Sequence, residues 1–162
     1  MRLRRLLLLA ALTLPLIPAW SAEPALSVRG TTFQGKAFDL AGLRGKVVLV
    51  MYWSTDCAVC RDKMQELRLN YEGWKSQPFE LVLISTDRRM EDVDAYEKLI
   101  AQVVPARQQF VQLWSRAPGY SDNVGPTGRL PLSLLIDKQG RTVERYSGRI
   151  PPEAWDRIAD LL

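Results

Sequence analysis

No histidine occurs in the 162 residues, and there are only two cysteines, Cys57 and Cys60. The first absence removes the residue most often used as a metal ligand and as a general base near neutral pH. Two cysteines alone also fall short of the four ligands of a structural zinc site, so no metal site is expected. No internal repeat is present, and the length suits one domain with a real core. An excess of charge is missing too, once the N-terminus is set aside. Residues 1–21 hold Arg2, Arg4 and Arg5, then an apolar run over 6–17 broken by Pro15. Ala19-Trp20-Ser21 follows, with small residues at the two positions a signal peptidase reads. Residues 1–21 are therefore expected to be a cleaved signal peptide and 22–162 the folded domain. The competing reading is an uncleaved anchor helix, but the run is short for a bilayer span and Pro15 and Pro18 interrupt it. Removing 1–21 takes three arginines and no acid, leaving 19 basic against 18 acidic residues. So balanced a chain gives no support to nucleic-acid binding as its main role.

The stretch 47–60, VVLVMYWSTDCAVC, is the centre around which the remainder is arranged. Val47–Trp53 is unbroken apolar and rich in β-branched and aromatic residues, which predicts a strand buried on both faces of a sheet. After Cys60 the period becomes helical through Met64, Leu67, Tyr71 and Trp74, so a helix is predicted over 58–74 with both cysteines at its start. Upstream, 28–33 and 36–40 flank Gln34-Gly35 as a hairpin. Downstream, Phe79–Ser85 reads as a second apolar strand. Asp87 is placed to cap a helix whose first turn carries Glu91 and Asp92, with Val93, Tyr96, Ile100 and Val103 facing inward. A short strand is expected over 110–114, and 115–129 is a loop by its glycines and prolines, long enough to suspect function or mobility. Leu132–Ile136 and 141–146 read as an antiparallel hairpin through Asp137-Lys138-Gln139-Gly140. Pro151-Pro152 opens a final helix with Trp155, Ile158 and Leu162 inward. The order is that of an α/β domain, a mixed sheet with helices on both faces and an N-terminal β-hairpin.

Two cysteines separated by two residues at a helix start can close a small disulfide ring. The helix N-terminus favours a thiolate on the first, and a thiolate so placed attacks disulfides at neutral pH. The second lies beside it and can resolve the mixed disulfide. A purely structural bridge over three residues would constrain little of the unfolded chain. Two inert core cysteines would not explain their placement at a helix start. A redox dithiol is the reading that meets all of this.

The segment YWSTDCAVCRDKM resembles the active-site segment of thioredoxin-fold proteins of the TlpA/ResA/CcmG type, exported bacterial thiol–disulfide oxidoreductases. The resemblance runs over 28–162 and takes in the leading hairpin, LVLIST and PLSLLIDKQGRTVERYSG. It implies a thioredoxin-like fold, no cofactor, a monomer, and a periplasmic location or an N-terminal membrane anchor. It implies that Cys57 is the nucleophile and Cys60 the resolving thiol. It also implies that the Leu130–Pro131 bond is cis and faces the cysteines, where Pro131 and Leu130 help hold extended substrate, with Trp53 as the matching aromatic. Clients would be exported proteins with disulfides, apocytochrome c among them, and the reductant a membrane electron carrier of the DsbD/CcdA type.

Departures from the family pattern bear on the proton chemistry. Asp56 stands where relatives often have Trp, Lys63 where many have an acid, Gln65 where proline is common, and Met51 where thioredoxin has a buried Asp. Asp56 and Lys63 are expected to tune the redox poise in opposite directions, with Lys63 partly covered and Arg61 turned to solvent. Two alternatives come from other classes. A peroxiredoxin-like peroxidase would match Ser54, three before Cys57, but wants a proline where Val50 stands. A non-catalytic thioredoxin-fold binding module would retain the dithiol as a relic. A copper chaperone of similar fold would use a histidine, and none is present.

Overall fold

The computed structural model describes residues 25–105 and 109–162. The expected signal peptide lies outside them. The Val47-to-Trp53 run forms β3 (Val47–Trp53), and all seven of its residues are buried, as continuous apolar character on both faces requires. β3 pairs in parallel with β4 (Phe79–Ser85) and antiparallel with β7 (Leu132–Ile136). Outside these lie β5 (Val111–Trp114), parallel to β4, and β8 (Thr142–Ser147), antiparallel to β7. The result is a five-stranded mixed sheet in the order β5-β4-β3-β7-β8. A second, three-stranded sheet joins the N-terminal hairpin, β1 (Val28–Thr31) and β2 (Ala37–Asp39), to β6 (Ser121–Asp122) in the order β2-β1-β6.

The α-helices among the described residues are α1 (Ala58–Gly73), α2 (Met90–Ala101) and α3 (Glu153–Leu161). Residues alternate along β3, so Val47, Leu49, Met51 and Trp53 face one core and Val48, Val50 and Tyr52 the other. The first core is closed by α1 through Cys60, Met64 and Leu67, and by α3 through Ala154 and Ile158. Tyr96 of α2 packs there as well, its ring 5.2 Å from that of Trp53. Trp74, at the C-terminal end of α1, meets both Phe79 and Trp155, at 5.3 and 5.8 Å, and so links the two helices above the sheet.

The second core departs from the expected helices on both faces. It is covered by Val28, Phe38, Leu40, Leu43, Tyr120 and Val124, which belong to the small sheet, a 3-10 turn and the 115–129 loop. Handedness explains this. The β3-α1-β4 and β4-α2-β5 crossovers step the same way across the sheet, and right-handed connections then put both helices on one face. The loop is therefore a structural cover. Ser121 and Asp122 pair with β1, and the Asp122 carboxylate accepts from the Tyr52 hydroxyl at 3.2 Å and from the Tyr120 hydroxyl. Burial raises both tyrosine hydroxyls above their ordinary pKa.

Two further expectations are corrected. Asp87 does not cap α2, whose N-cap is Arg89 with no side-chain bond, because its carboxylate is engaged elsewhere. Val103 lies beyond the end of α2 and is 76% exposed, since the helix stops at Ala101.

Candidate active site

Cys57 and Cys60 are joined as a disulfide with Cα atoms 5.2 Å apart. Cys57 is the N-cap of α1: its backbone is extended and its Sγ accepts from the Cys60 amide at 3.1 Å. No acid sits in the first turn of α1 to oppose the positive end of its dipole. Cys57 is half-buried and Cys60 fully buried, so an incoming group reaches the first sulfur and not the second.

The loop that presents Cys57 is pinned from the neighbouring strand. β3 and β4 are parallel and in register at Trp53 and Ser85, so the residues that follow each strand lie side by side. Asp87, 7% exposed, uses this adjacency. Its carboxylate accepts from the Thr55 amide at 3.0 Å, the Thr55 hydroxyl at 2.6 Å and the Ser85 hydroxyl at 2.7 Å. Its carbonyl accepts from Trp114 Nε1 at 2.8 Å. Thr86 donates its amide and hydroxyl to the Trp53 carbonyl, at 2.8 and 3.0 Å. Sequence reasoning missed this role of Asp87, although a polar residue just past the carboxyl end of a parallel strand is a signal for one.

The remaining named residues are placed as follows. Asp56 is exposed and accepts from the Ser54 hydroxyl. Arg61 is exposed, as expected, and its side chain donates to the Thr55 carbonyl. Trp53 is 0% exposed and belongs to the core, so it supports the loop from beneath and does not offer a surface to substrate. The Leu130–Pro131 bond is cis. Pro131 is buried, its carbonyl accepting from the Gly148 amide at 2.7 Å, and Gly148 has a φ of +87° that favours glycine. Leu130 is half-buried, packs against the core that contains Cys60, and lines an open cleft of about 790 Å³. Ser54, Thr55, Asp56, Thr86, Asp87 and Arg88 line the same cleft, which runs past the presenting loop.

Lys63 differs most from expectation. It is 5% exposed, and its ammonium bonds both oxygens of Glu66, at 2.9 and 2.8 Å. Trp155 Nε1 of α3 donates to the same carboxylate. Burial would raise the Glu66 pKa, but hydrogen bonds from Lys63 and Trp155 and the charges of Lys63 and Arg149 outweigh it and hold the carboxyl below its ordinary range. This replaces the expected partly covered cation acting alone. The three-residue spacing of Lys63 and Glu66 on a helix was the available signal.

Residues 21–157 match the AhpC/TSA family. Among curated proteins, a thiol-disulfide oxidoreductase ResA of Bacillus cereus is 30% identical over 118 residues, covering 73% of this chain and 64% of that protein. ResA of Geobacillus thermodenitrificans is 26% identical over 159 residues, covering 91% of this chain and 86% of that protein. The chain thus spans 64% of the length of the first Bacillus relatives it matches. Among solved structures, a thiol:disulfide interchange protein of the thioredoxin family from Chlorobium tepidum superposes with a TM-score of 0.63 at 24% identity, covering 85% of this chain and 93% of that one. StoA from Bacillus subtilis gives 0.61 at 15%, covering 85% and 98%. These likenesses establish a thioredoxin-like fold.

Proposed function

Because the chain belongs to the AhpC/TSA family, we propose that within it this protein is an exported thiol–disulfide oxidoreductase that reduces disulfides of client proteins. The observation that carries the reading is the asymmetry of the cysteine pair: Cys57 is half-buried and caps α1 directly after Thr55 and Asp56, which line the open cleft, and Cys60 lies fully buried one turn in. The ResA relatives, whose names state this activity, support it.

In the reduced enzyme the Cys57 thiolate attacks one sulfur of a client disulfide. A Cys57–client bond forms and the other client sulfur leaves as a thiolate, which takes up a proton. Cys60 then loses its proton and attacks Cys57, forming the Cys57–Cys60 bond and releasing the second client thiolate. That thiolate takes up the proton Cys60 lost, so two electrons pass to the client with one proton from Cys60 and one from solvent, and the enzyme is left in the oxidised state seen here. In this reading Leu130 and Pro131 help hold the extended client, a role supported by the cis Leu130–Pro131 bond and by Leu130 lining the cleft. A membrane reductant of the DsbD/CcdA type returns the pair to the dithiol, and the clients are exported polypeptides such as apocytochrome c. Export rests on residues 1–21. Among the described residues no helix is long and apolar enough to cross a membrane.

The test is trapping. Cys60→Ser cannot resolve the intermediate and should accumulate mixed disulfides with exported proteins, whereas Cys57→Ser should not. Trapping by Cys57→Ser alone, or peroxide consumption without reduction of insulin disulfides, would overturn the assignment. N-terminal sequencing of the exported protein should begin near residue 22. An intact Met1 form in membranes would favour an anchor.

A further inference from the structure

The buried face of α1 is made of Cys60, Lys63, Met64 and Leu67, so it places one cation among apolar side chains, a turn beyond the buried cysteine. That cation is bound by both oxygens of Glu66, and Glu66 is held in turn by Trp155 of α3. Arg149 also acts on Glu66, but its guanidinium is paired with Asp62 at 2.7 Å. Along the helix Lys63 stands about 4.5 Å and Glu66 about 9 Å beyond Cys60, from a rise of 1.5 Å per residue. Lys63 is therefore the member of the pair whose backbone lies nearer the cysteines.

We infer that Lys63 and Glu66 form a compensated charge pair that sets the redox poise of the Cys57–Cys60 couple, Glu66 being a positioning residue that limits the field of Lys63. This rests on the pair being an exchanging dithiol. The reduced form carries a thiolate and the oxidised form carries no charge, so only the reduced form responds to a nearby charge. Taking away Glu66 leaves a cation that stabilises the thiolate and makes the couple more oxidising. Taking away Lys63 leaves an anion that does the reverse. A pair that served packing alone would not give opposite signs.

The experiment is redox titration of the full chain against glutathione at pH 7. Glu66→Gln keeps an acceptor for Trp155, and Lys63→Met keeps an apolar stem in the same space. Glu66→Gln should shift the equilibrium about tenfold towards the dithiol, or ~30 mV. Lys63→Met should shift it about tenfold towards the disulfide, and the double variant should lie within about threefold of wild type. Shifts of the same sign, or none in either single variant, overturn the inference. The pH profile of Cys57 alkylation is a second readout that needs no glutathione exchange. It should move to lower pH in Glu66→Gln and to higher pH in Lys63→Met, and unmoved profiles refute the pair. If wild type fails to equilibrate with glutathione, the dithiol reading falls while the alkylation profiles still decide the pair. Thermal unfolding identifies a variant that has lost its fold, and Lys63→Gln then replaces Lys63→Met.

Discussion

Replacing Asp87 by Ala removes the clamp between the β4–α2 turn and the loop that presents Cys57. Three donors lose their acceptor: the Thr55 amide, the Thr55 hydroxyl and the Ser85 hydroxyl. The amide cannot reorient, and a buried donor without a partner costs about 2 kcal/mol. The Thr55 hydroxyl can rotate towards water in the adjoining cleft, so about 0.5 kcal/mol is assigned to it, and the fully buried Ser85 hydroxyl is assigned about 1 kcal/mol. The expected loss is about 3.5 kcal/mol, or ~10 °C in Tm for a domain of this size. Asp87→Asn retains one acceptor and the side-chain shape, and should lose about half as much. The assay is urea unfolding followed by tryptophan fluorescence with the Cys57–Cys60 disulfide intact, so that midpoint and slope are read together. If Asp87→Ala loses less than ~1 kcal/mol, Thr55 finds its partners elsewhere and the clamp is not what holds the loop. If Asn and Ala lose equally, the negative charge and not the acceptor geometry is what matters.

Two other perturbations follow from the same packing. Asp137, 4% exposed, accepts from the Gln139 amide, the Arg141 amide and the Arg141 side chain at the β7–β8 turn. Burial would raise its carboxyl, but those bonds and the Arg141 charge hold it below the ordinary range. A depressed folded pKa contributes stability above the unfolded value of about 3.9, and that contribution is lost as pH falls through the folded value. Asp137→Asn should therefore cost ~1–2 kcal/mol in urea unfolding at pH 7 and progressively less below about pH 4, and a cost independent of pH would refute the linkage. Leu67→Ala, at 0% exposure between α1 and the sheet, should lose about 3 kcal/mol and leave the glutathione equilibrium unmoved.

Local pattern carried much of this protein. β3 was legible because seven consecutive apolar residues cannot be half-exposed, and β4 and β7 because their shorter apolar runs are interrupted only by Glu80 and Ser133 before the strand ends. The start of α1 was legible because the apolar period changes at Cys60, and the cysteine pair because two thiols three apart at a helix start have few other uses. These are statements about neighbours in the chain, and burial and period are enough to make them. What the chain could not state alone is which distant groups meet. Asp87 looks like a helix cap until the parallel register of β3 and β4 brings it to Thr55. Lys63 reads as a partly covered cation acting alone, and although its spacing to Glu66 is local, only the packing of α1 against α3 brings Trp155 to the same carboxylate. The 115–129 loop reads as a functional or mobile segment until Asp122 is found between Tyr52 and Tyr120, closing a face that no helix of the described residues covers. A carboxylate binds whichever donor the fold puts within about 3 Å, and that choice is made by sheet register and helix packing.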